Sequence, residues 1–359
     1  MRMNRWAQAA ESPMFCVWEL TLACNLRCRH CGSGAGLAQA DELDQVEALR
    51  VADELAGLGC KRVSLIGGEP FLKPGWEAVV ERLAARGVIV ELVTNGWMVD
   101  SAMVQRMVSA GVHSVSVSID GTAAVHDMLR DRKGSFERAL AAVRNVREAG
   151  LPVGVLTQVS KANMGDLERL YPELEQAGVG GWQIQLSMAL GRFGGEEQWI
   201  LSPEQLPELE RIILKLSQLR GPWVYAADNI GYMSRNDPLL RESPTGTFCW
   251  TGCQAGLHVL GIASDGSVRG CLSLPAEFNE ASVRERSLAS IWADAGLFQY
   301  NRSHKEQTLT GFCRQCVYRR ICRGGCTTLR YTTTGGLGEN HYCLYRMDQE
   351  HPSPSVGEA

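Results

Sequence analysis

The sequence predicts an α/β protein: an open, partial (β/α)6 TIM-like barrel followed by a small, loop-rich, cysteine-rich segment. Two observations carry this. Between residue 15 and about residue 226, six short apolar runs alternate with helix-patterned stretches, the pattern of a parallel sheet with right-handed crossovers. From Cys249 to Cys343 the helical periodicity fades, and eight of the thirteen cysteines fall there.

The strands are expected at 16–22, 62–66, 88–93, 114–119, 153–158 and 182–186. Helices are expected near 43–57, 76–85, 102–110, 136–149, 164–177 and 203–219. Gly59, Gly87, Gly111, Gly150 and Gly178 mark helix ends, and Ser202-Pro203 reads as an N-cap followed by an N1 proline. The barrel is assigned to 15–228, after a tail at 1–14. Residues 229–248 hold many turn formers and read as a linker. The segment 249–345 has too little apolar mass for a core of its own, so its folding is expected to depend on bound metal. Residues 346–359 read as a second tail.

Hydrophobic content of 45%, charged content of 21% and a net charge of −4 describe an ordinary globular protein. Nothing in that balance calls for nucleic acid or an anionic membrane surface. The N-terminal stretch lacks the apolar segment of a secretory signal, and no apolar run approaches the roughly 20 residues that span a bilayer. A cytoplasmic location is therefore expected, where thirteen cysteines are better explained by metal than by disulfides.

The most informative spacing is Cys24-x3-Cys28-x2-Cys31, just past the first strand. Three thiolates from one tight loop can hold three irons of a [4Fe–4S] cube and leave the fourth iron open to a small molecule. A zinc site completed by His30 uses the same thiolates. The spacing resembles the signature of the radical S-adenosylmethionine (radical SAM) superfamily. That resemblance implies the partial barrel, a SAM chelated by the open iron, and reductive cleavage of SAM to a 5′-deoxyadenosyl radical.

In a parallel barrel, functional residues gather at the C-terminal ends of strands. Gly67-Gly68-Glu69 ends the second strand, and paired glycines admit close backbone approach to a ligand. The resemblance places this segment along the SAM amino group. Thr94-Asn95-Gly96 follows the third strand, and Ser118 and Asp120 end the fourth. The resemblance puts Ser118 and Asp120 near the ribose and methionyl end, and Ser160 and Asn163 near the carboxylate. Capping and turn formation are the competing roles for all four. Trp182, Gln183, Gln185 and Met188 straddle the sixth strand, where adenine and substrate surfaces meet in the superfamily, with core packing the competing role for Trp182 and Met188.

The C-terminal cysteines run Cys249, Cys253, then twelve residues to Gly266 and four more to Cys271. Cys313-x2-Cys316-x5-Cys322-x3-Cys326 and Cys343 complete them. This is similar to the SPASM module, which carries auxiliary [4Fe–4S] clusters. Eight thiolates fill two cubes, and two four-cysteine zincs satisfy the same count. The resemblance implies one cube on Cys249, Cys253, Cys271 and Cys326, and another on Cys313, Cys316, Cys322 and Cys343. Cys16 and Cys60 fit neither set and read as small buried hydrophobes.

With the first loop this gives three [4Fe–4S] clusters and SAM as expected cofactors. The resemblance also implies a flavodoxin or ferredoxin type electron donor and oxidative modification of a ribosomally made precursor peptide, with a separate leader-recognition protein as a further partner. The sulfatase-maturing branch carries an acidic residue after the cysteine matching Cys271; Leu272 and Ser273 stand here, which argues against that activity. A tetrapyrrole-modifying enzyme is the alternative within the superfamily, and a non-catalytic iron–sulfur electron carrier the alternative outside it.

Overall fold

The structure, a computed structural model, describes residues 9–243, 246–247 and 249–350. The tail expectations for residues 1–8 and 351–359 lie outside the described residues. Seven strands run parallel and pair in chain order: β1 (Phe15–Glu19), β2 (Arg62–Ile66), β3 (Ile89–Thr94), β4 (Ser114–Ser118), β5 (Val153–Val159), β6 (Gly181–Leu186) and β7 (Trp223–Ala226). The crossovers carry α1 (Gln45–Gly57), α2 (Trp76–Ala84), α3 (Ser101–Ala110), α4 (Ala123–Arg130), α5 (Ser135–Glu148), α6 (Leu167–Ala177) and α7 (Leu206–Ser217).

Local chemistry fixes the ends of these elements. Asp44 and Glu47 form a reciprocal capping box at α1, and Asp100 accepts from the Met103 amide at α3; such caps contribute about 1 kcal/mol each. All five expected stop glycines adopt left-handed φ, Gly111 at 91° among them.

The strands alternate because their two faces differ. On β3, Val90 and Leu92 are buried under the helices, whereas Ile89, Glu91 and Val93 line an interior cavity, which the buried Thr94 at the strand end also reaches. On β6, Trp182, Ile184 and Leu186 are buried while Gln183 and Gln185 line that cavity. Parallel strands covered on both faces read as apolar throughout; polar residues on the inner face here leave the barrel an open lumen.

Two elements differ from expectation. Strand β7 adds a seventh unit, too short at four residues to stand out in the sequence. Helix α4, eight residues long, is not among the expected helices, and it delivers His126 and Arg130 to the site.

The stretch expected as a linker is packed. Ile230, Tyr232 and Leu240 are buried, and Asn229 exchanges two hydrogen bonds with the backbone of Leu186. Its described residues carry α8 (Asp237–Leu240), and β8 (Glu242–Ser243) pairs antiparallel with β9 (Gly246–Thr247).

The cysteine-rich segment shares the barrel's core. Strand β10 (Val259–Ile262) pairs parallel with β1, Phe15 opposite Val259, and continues antiparallel through β11 (Ser267–Arg269) and β12 (Ala281–Ser282). Apolar residues of both parts form one continuous cluster. Outside it, Arg284 bonds Glu47 at 2.7 and 2.9 Å, tying the segment to α1. A last helix (Leu344–Glu350) continues past residue 345 and buries Met347. Cys16 and Cys60 are buried as expected, at 0% and 3% exposure. No described helix is long and apolar enough to cross a membrane.

Candidate active site and metal centres

The loop carrying Cys24, Cys28 and Cys31 rests on the end of β2. The Gly68 and Glu69 amides donate to the carbonyls of Thr21 and Ala23 at 2.7 and 2.8 Å. A Cβ on Gly68 would lie 2.3 Å from the Ala23 oxygen, and one on Gly67 2.7 Å from the Thr21 oxygen. The glycine pair is therefore required for the loop to sit this close, besides lining the cavity itself.

Other contacts clamp the loop from each side. Glu42 accepts from the Thr21 hydroxyl and the Leu22 amide at 2.9 and 2.8 Å. Arg192, after β6, donates from Nε to the Cys28 carbonyl and from Nη1 to the Ala35 carbonyl, both at 2.7 Å. Asn95 donates to Asn25 Oδ1 at 2.7 Å, with the same nitrogen 3.9 Å from Cys24 Sγ.

Two buried carboxylates organise the strand ends. Glu69 is fully buried and accepts from Thr94 Oγ1 at 2.7 Å and the Asn95 amide at 2.9 Å. Burial pushes its carboxyl up to about 7 despite those bonds. Its side chain thus fixes the end of β3, and the adjoining glycines are what face the cavity.

Asp120 is also fully buried. Its Oδ2 accepts from Arg130 at 2.7 Å and lies 3.0 Å from His30 Nε2, and its Oδ1 accepts from the Gln158 amide at 3.1 Å. Burial alone would raise its carboxyl, but the Arg130 charge and then His30 hold it well below the usual range. Its amide donates to His126 Nδ1, and burial pushes His126 down to about 3. His30 Nε2 thus serves Asp120, which removes that nitrogen from a zinc site with the three cysteines.

Ser160 and Asn163 are buried behind this hub. Asn163 Oδ1 accepts from the Ser160 amide at 2.7 Å, while its Nδ2 donates to the Asp120 and Gln158 carbonyls at 2.7 and 2.9 Å. Their groups brace the ends of β4 and β5. Ser118 and Asp120 line the cavity itself, a space of about 930 Å³ that also takes in Cys24, Cys28, Cys31, Gln158 and Ser273. Trp182 faces the helices, donating to Thr157 Oγ1 at 2.7 Å, and Met188 packs on the core.

The spacing of Arg130, Arg192 and Glu42 carries no recognisable signal, and the sequence reading missed all three. A basic residue six or more positions past a strand end looks like ordinary surface until the fold turns it inward.

Seven of the eight C-terminal cysteines fall into two neighbourhoods, and the eighth, Cys249, is exposed and is not brought into either. Cys313, Cys316, Cys322 and Cys343 line one small cavity together with Tyr232 and Asn340. Cys326 sits within electrostatic range of Cys253 and Cys271. Burial pushes the Cys322 thiol up to about 12, and neighbouring Cys313 adds to this. Such thiols ionise only with a metal to take the charge. Among the described residues no three His, Cys, Asp or Glu groups converge on the position of a single ion. Four thiols around one space fit a multi-iron cube, whose ligands each bind a different iron.

Comparison with known proteins agrees with this geometry. The family model described as the radical SAM superfamily matches residues 18–171, and one described as an iron–sulfur cluster-binding (SPASM) domain matches 253–317. An AdoMet-dependent heme synthase of Methanosarcina barkeri is 31% identical over 94% of this chain and 97% of its own length. A mycofactocin maturase of Mycobacterium tuberculosis is 26% identical, over 99% of this chain and 88% of its own. Among solved structures, Streptococcus suis SuiB bound to S-adenosylmethionine superposes with a TM-score of 0.72 at 16% identity, covering 92% of this chain and 77% of that one.

Proposed function

The chain belongs to the radical SAM superfamily and carries a C-terminal SPASM domain, and from that premise we propose that it oxidatively modifies a ribosomally made peptide in the cytoplasm. Three [4Fe–4S] clusters serve it: one on Cys24, Cys28 and Cys31, one on Cys249, Cys253, Cys271 and Cys326, and one on Cys313, Cys316, Cys322 and Cys343. When bound, the first cluster and SAM supply the 5′-deoxyadenosyl radical after an electron arrives from a flavodoxin or ferredoxin type donor.

The chain's own residues orient and shield that chemistry. Gly67, Gly68, Ser118 and Asp120 present backbone and polar groups along the SAM side of the cavity. Glu69, Ser160 and Asn163 hold those strand ends in place. The auxiliary cysteine sets would hold clusters that, when bound, would supply an acceptor for an electron from the oxidised substrate.

The observation that carries the peptide reading is the charge of the cavity. Its cationic lining residues are Lys61, Arg62, Arg130 and Arg192. Arg62 pairs with Glu91 at 3.2 Å, Arg130 with Asp120, and Arg192 with two backbone carbonyls. That leaves Lys61, and the charge of Arg192 with its donors held by the loop, as the cations open to a tetrapyrrole bearing several carboxylates. Gln158, Gln183, Gln185 and the serines offer instead the neutral donors and acceptors that match a peptide backbone.

A tetrapyrrole substrate is the second reading, favoured by the 31% identity to a heme synthase over nearly the whole chain. One experiment separates them: reduced enzyme and SAM are offered a peptide encoded beside the gene, or an iron porphyrin. A peptide mass lower by about two hydrogens per modification supports the first reading. An unchanged peptide alongside porphyrin turnover establishes the second.

A further inference from the structure

Two arginines lie buried in the C-terminal segment without an acidic partner. Arg323 is 5% exposed and Arg330 1% exposed, and neither forms an ion pair with a carboxylate among the described residues. Nearby Arg241, equally buried, does have one in Asp237 at 3.1 Å. Burying a guanidinium unpaired is costly, so the compensating charge must lie elsewhere.

Their surroundings point to where. Arg323 follows Cys322 directly, and its Nη2 donates to the Cys253 carbonyl at 3.0 Å and the Thr251 carbonyl at 3.4 Å. It therefore joins the two cysteine neighbourhoods. Arg330 lies one turn beyond Cys326 in the helix Thr327–Thr334, within electrostatic range of Cys313 and Cys322. In both arginines Nε is buried with no hydrogen-bond partner. Asn340 repeats the pattern: its amide donates to Cys313 Sγ at 3.4 Å, and its buried Nδ2 is unpartnered beside the cavity of the second set.

The backbone is shaped around these side chains. Arg323 adopts a left-handed φ of 54°, a conformation costly for a residue with a Cβ. A Cβ on Gly252 would lie 2.4 Å from Arg323 Nε, and one on Gly324 would lie 2.8 Å from Arg330 Nη1. His304 stands near both, and burial with their charge pushes it down to about 4. Two guanidinium groups and a neutral histidine in one buried region, with no carboxylate bonded to them, are arranged for an anion the chain does not itself supply.

We propose that Arg323 and Arg330 are the buried counter-charges of the two auxiliary iron–sulfur clusters, Arg323 serving both, and that they set how readily those clusters accept an electron. This rests on the assignment of both cysteine sets to iron. A cube with four thiolates is anionic and gains one negative charge on one-electron reduction, so a fixed cation beside it stabilises the reduced form. Removing the cation makes reduction harder, and the potential falls. The chain gains a one-way preference from this: auxiliary sites of raised potential take an electron from a substrate radical more easily than they return it.

The test uses the full-length, iron-loaded enzyme and Arg323→Met, Arg330→Met and Arg330→Lys variants. Iron content is measured first, then the midpoint potential of each cluster by redox titration with electron paramagnetic resonance. The methionine variants are expected to lose at least about tenfold in the equilibrium constant for auxiliary-cluster reduction, a fall of about 59 mV for a one-electron couple. The first cluster should be unmoved, and Arg330→Lys should stay close to the parent. Unchanged auxiliary potentials in loaded methionine variants would overturn the proposal. About four irons in the parent protein would instead overturn the cluster assignment beneath it. Should one methionine variant fail to load, the other decides by the same titration. Arg323→Lys and Arg330→Lys keep the charge and should load as the parent does, and loss of loading in these too shows a packing role and overturns the proposal.

Discussion

Arg130 and Asp120 form a buried ion pair directly behind the cysteine loop, with Nε and Nη2 each 2.7 Å from Asp120 Oδ2 and Nη1 3.7 Å from Cys28 Sγ. The pair makes the strand end that ought to face SAM continuous with the loop that ought to hold iron. Substituting Asp120→Asn leaves Arg130 buried without its counter-ion, which costs about 3–5 kcal/mol. The expected outcome is a lower unfolding midpoint together with loss of first-cluster iron, read by thermal unfolding and iron analysis. Unaltered stability would show the pair to be incidental.

Arg192 reaches the same loop from the other side of the barrel mouth. Arg192→Ala leaves the carbonyls of Cys28 and Ala35 without their donors, at a cost of about 1–3 kcal/mol. SAM cleavage should slow several-fold while the auxiliary clusters remain loaded. Measuring 5′-deoxyadenosine formation against iron content separates the two effects.

Gly68→Ala tests the seat of the loop. Its Cβ would meet backbone, not a side-chain tip, so the loop itself must move. We expect impaired SAM binding by calorimetry and weakened iron retention. The contrasting change, Gly87→Ala, meets no atom within 4 Å but sits at φ 76°. It should cost about 1 kcal/mol of stability and leave SAM affinity intact.

The clasp between Arg284 and Glu47 predicts a pH dependence. Hydrogen bonds from Arg284, then the Asp44 amide, hold the Glu47 carboxyl down at about 2. Because the folded value lies below the ordinary 4.5, the stabilisation is present above that value and declines as pH falls toward 2. The pair is solvent-accessible, so it is worth no more than about 1 kcal/mol. The difference in urea midpoint between the parent and Arg284→Ala should shrink from about pH 6 to about pH 3, and also with added salt. A difference that held constant would remove the clasp from the account.

Much of the fold was legible because strand alternation and left-handed glycines are local signals. Gly111 and Gly178 end their helices for reasons visible within a few residues. Strand β10 was not legible, since its pairing with β1 joins segments more than 240 residues apart. The division of the C-terminal cysteines into two sets came from the resemblance to the SPASM module, and the structure gathers Cys313, Cys316, Cys322 and Cys343 around one cavity. Asp120, Ser160 and Asn163 were found as polar strand ends, but their partners could not be found. Arg130 and Arg192 reach the site from a short helix and a loop, and only the folded barrel brings them to Cys28.

Metal content tests the central claim, that this chain holds a SAM-side cluster and two fully ligated auxiliary clusters. Anaerobically reconstituted protein should contain about twelve irons per chain and no zinc, with Mössbauer spectra of cubane clusters. A Cys28→Ala variant should retain about eight irons and cleave no SAM. About four irons accompanied by two zincs would contradict the account, reducing the C-terminal segment to a structural zinc module.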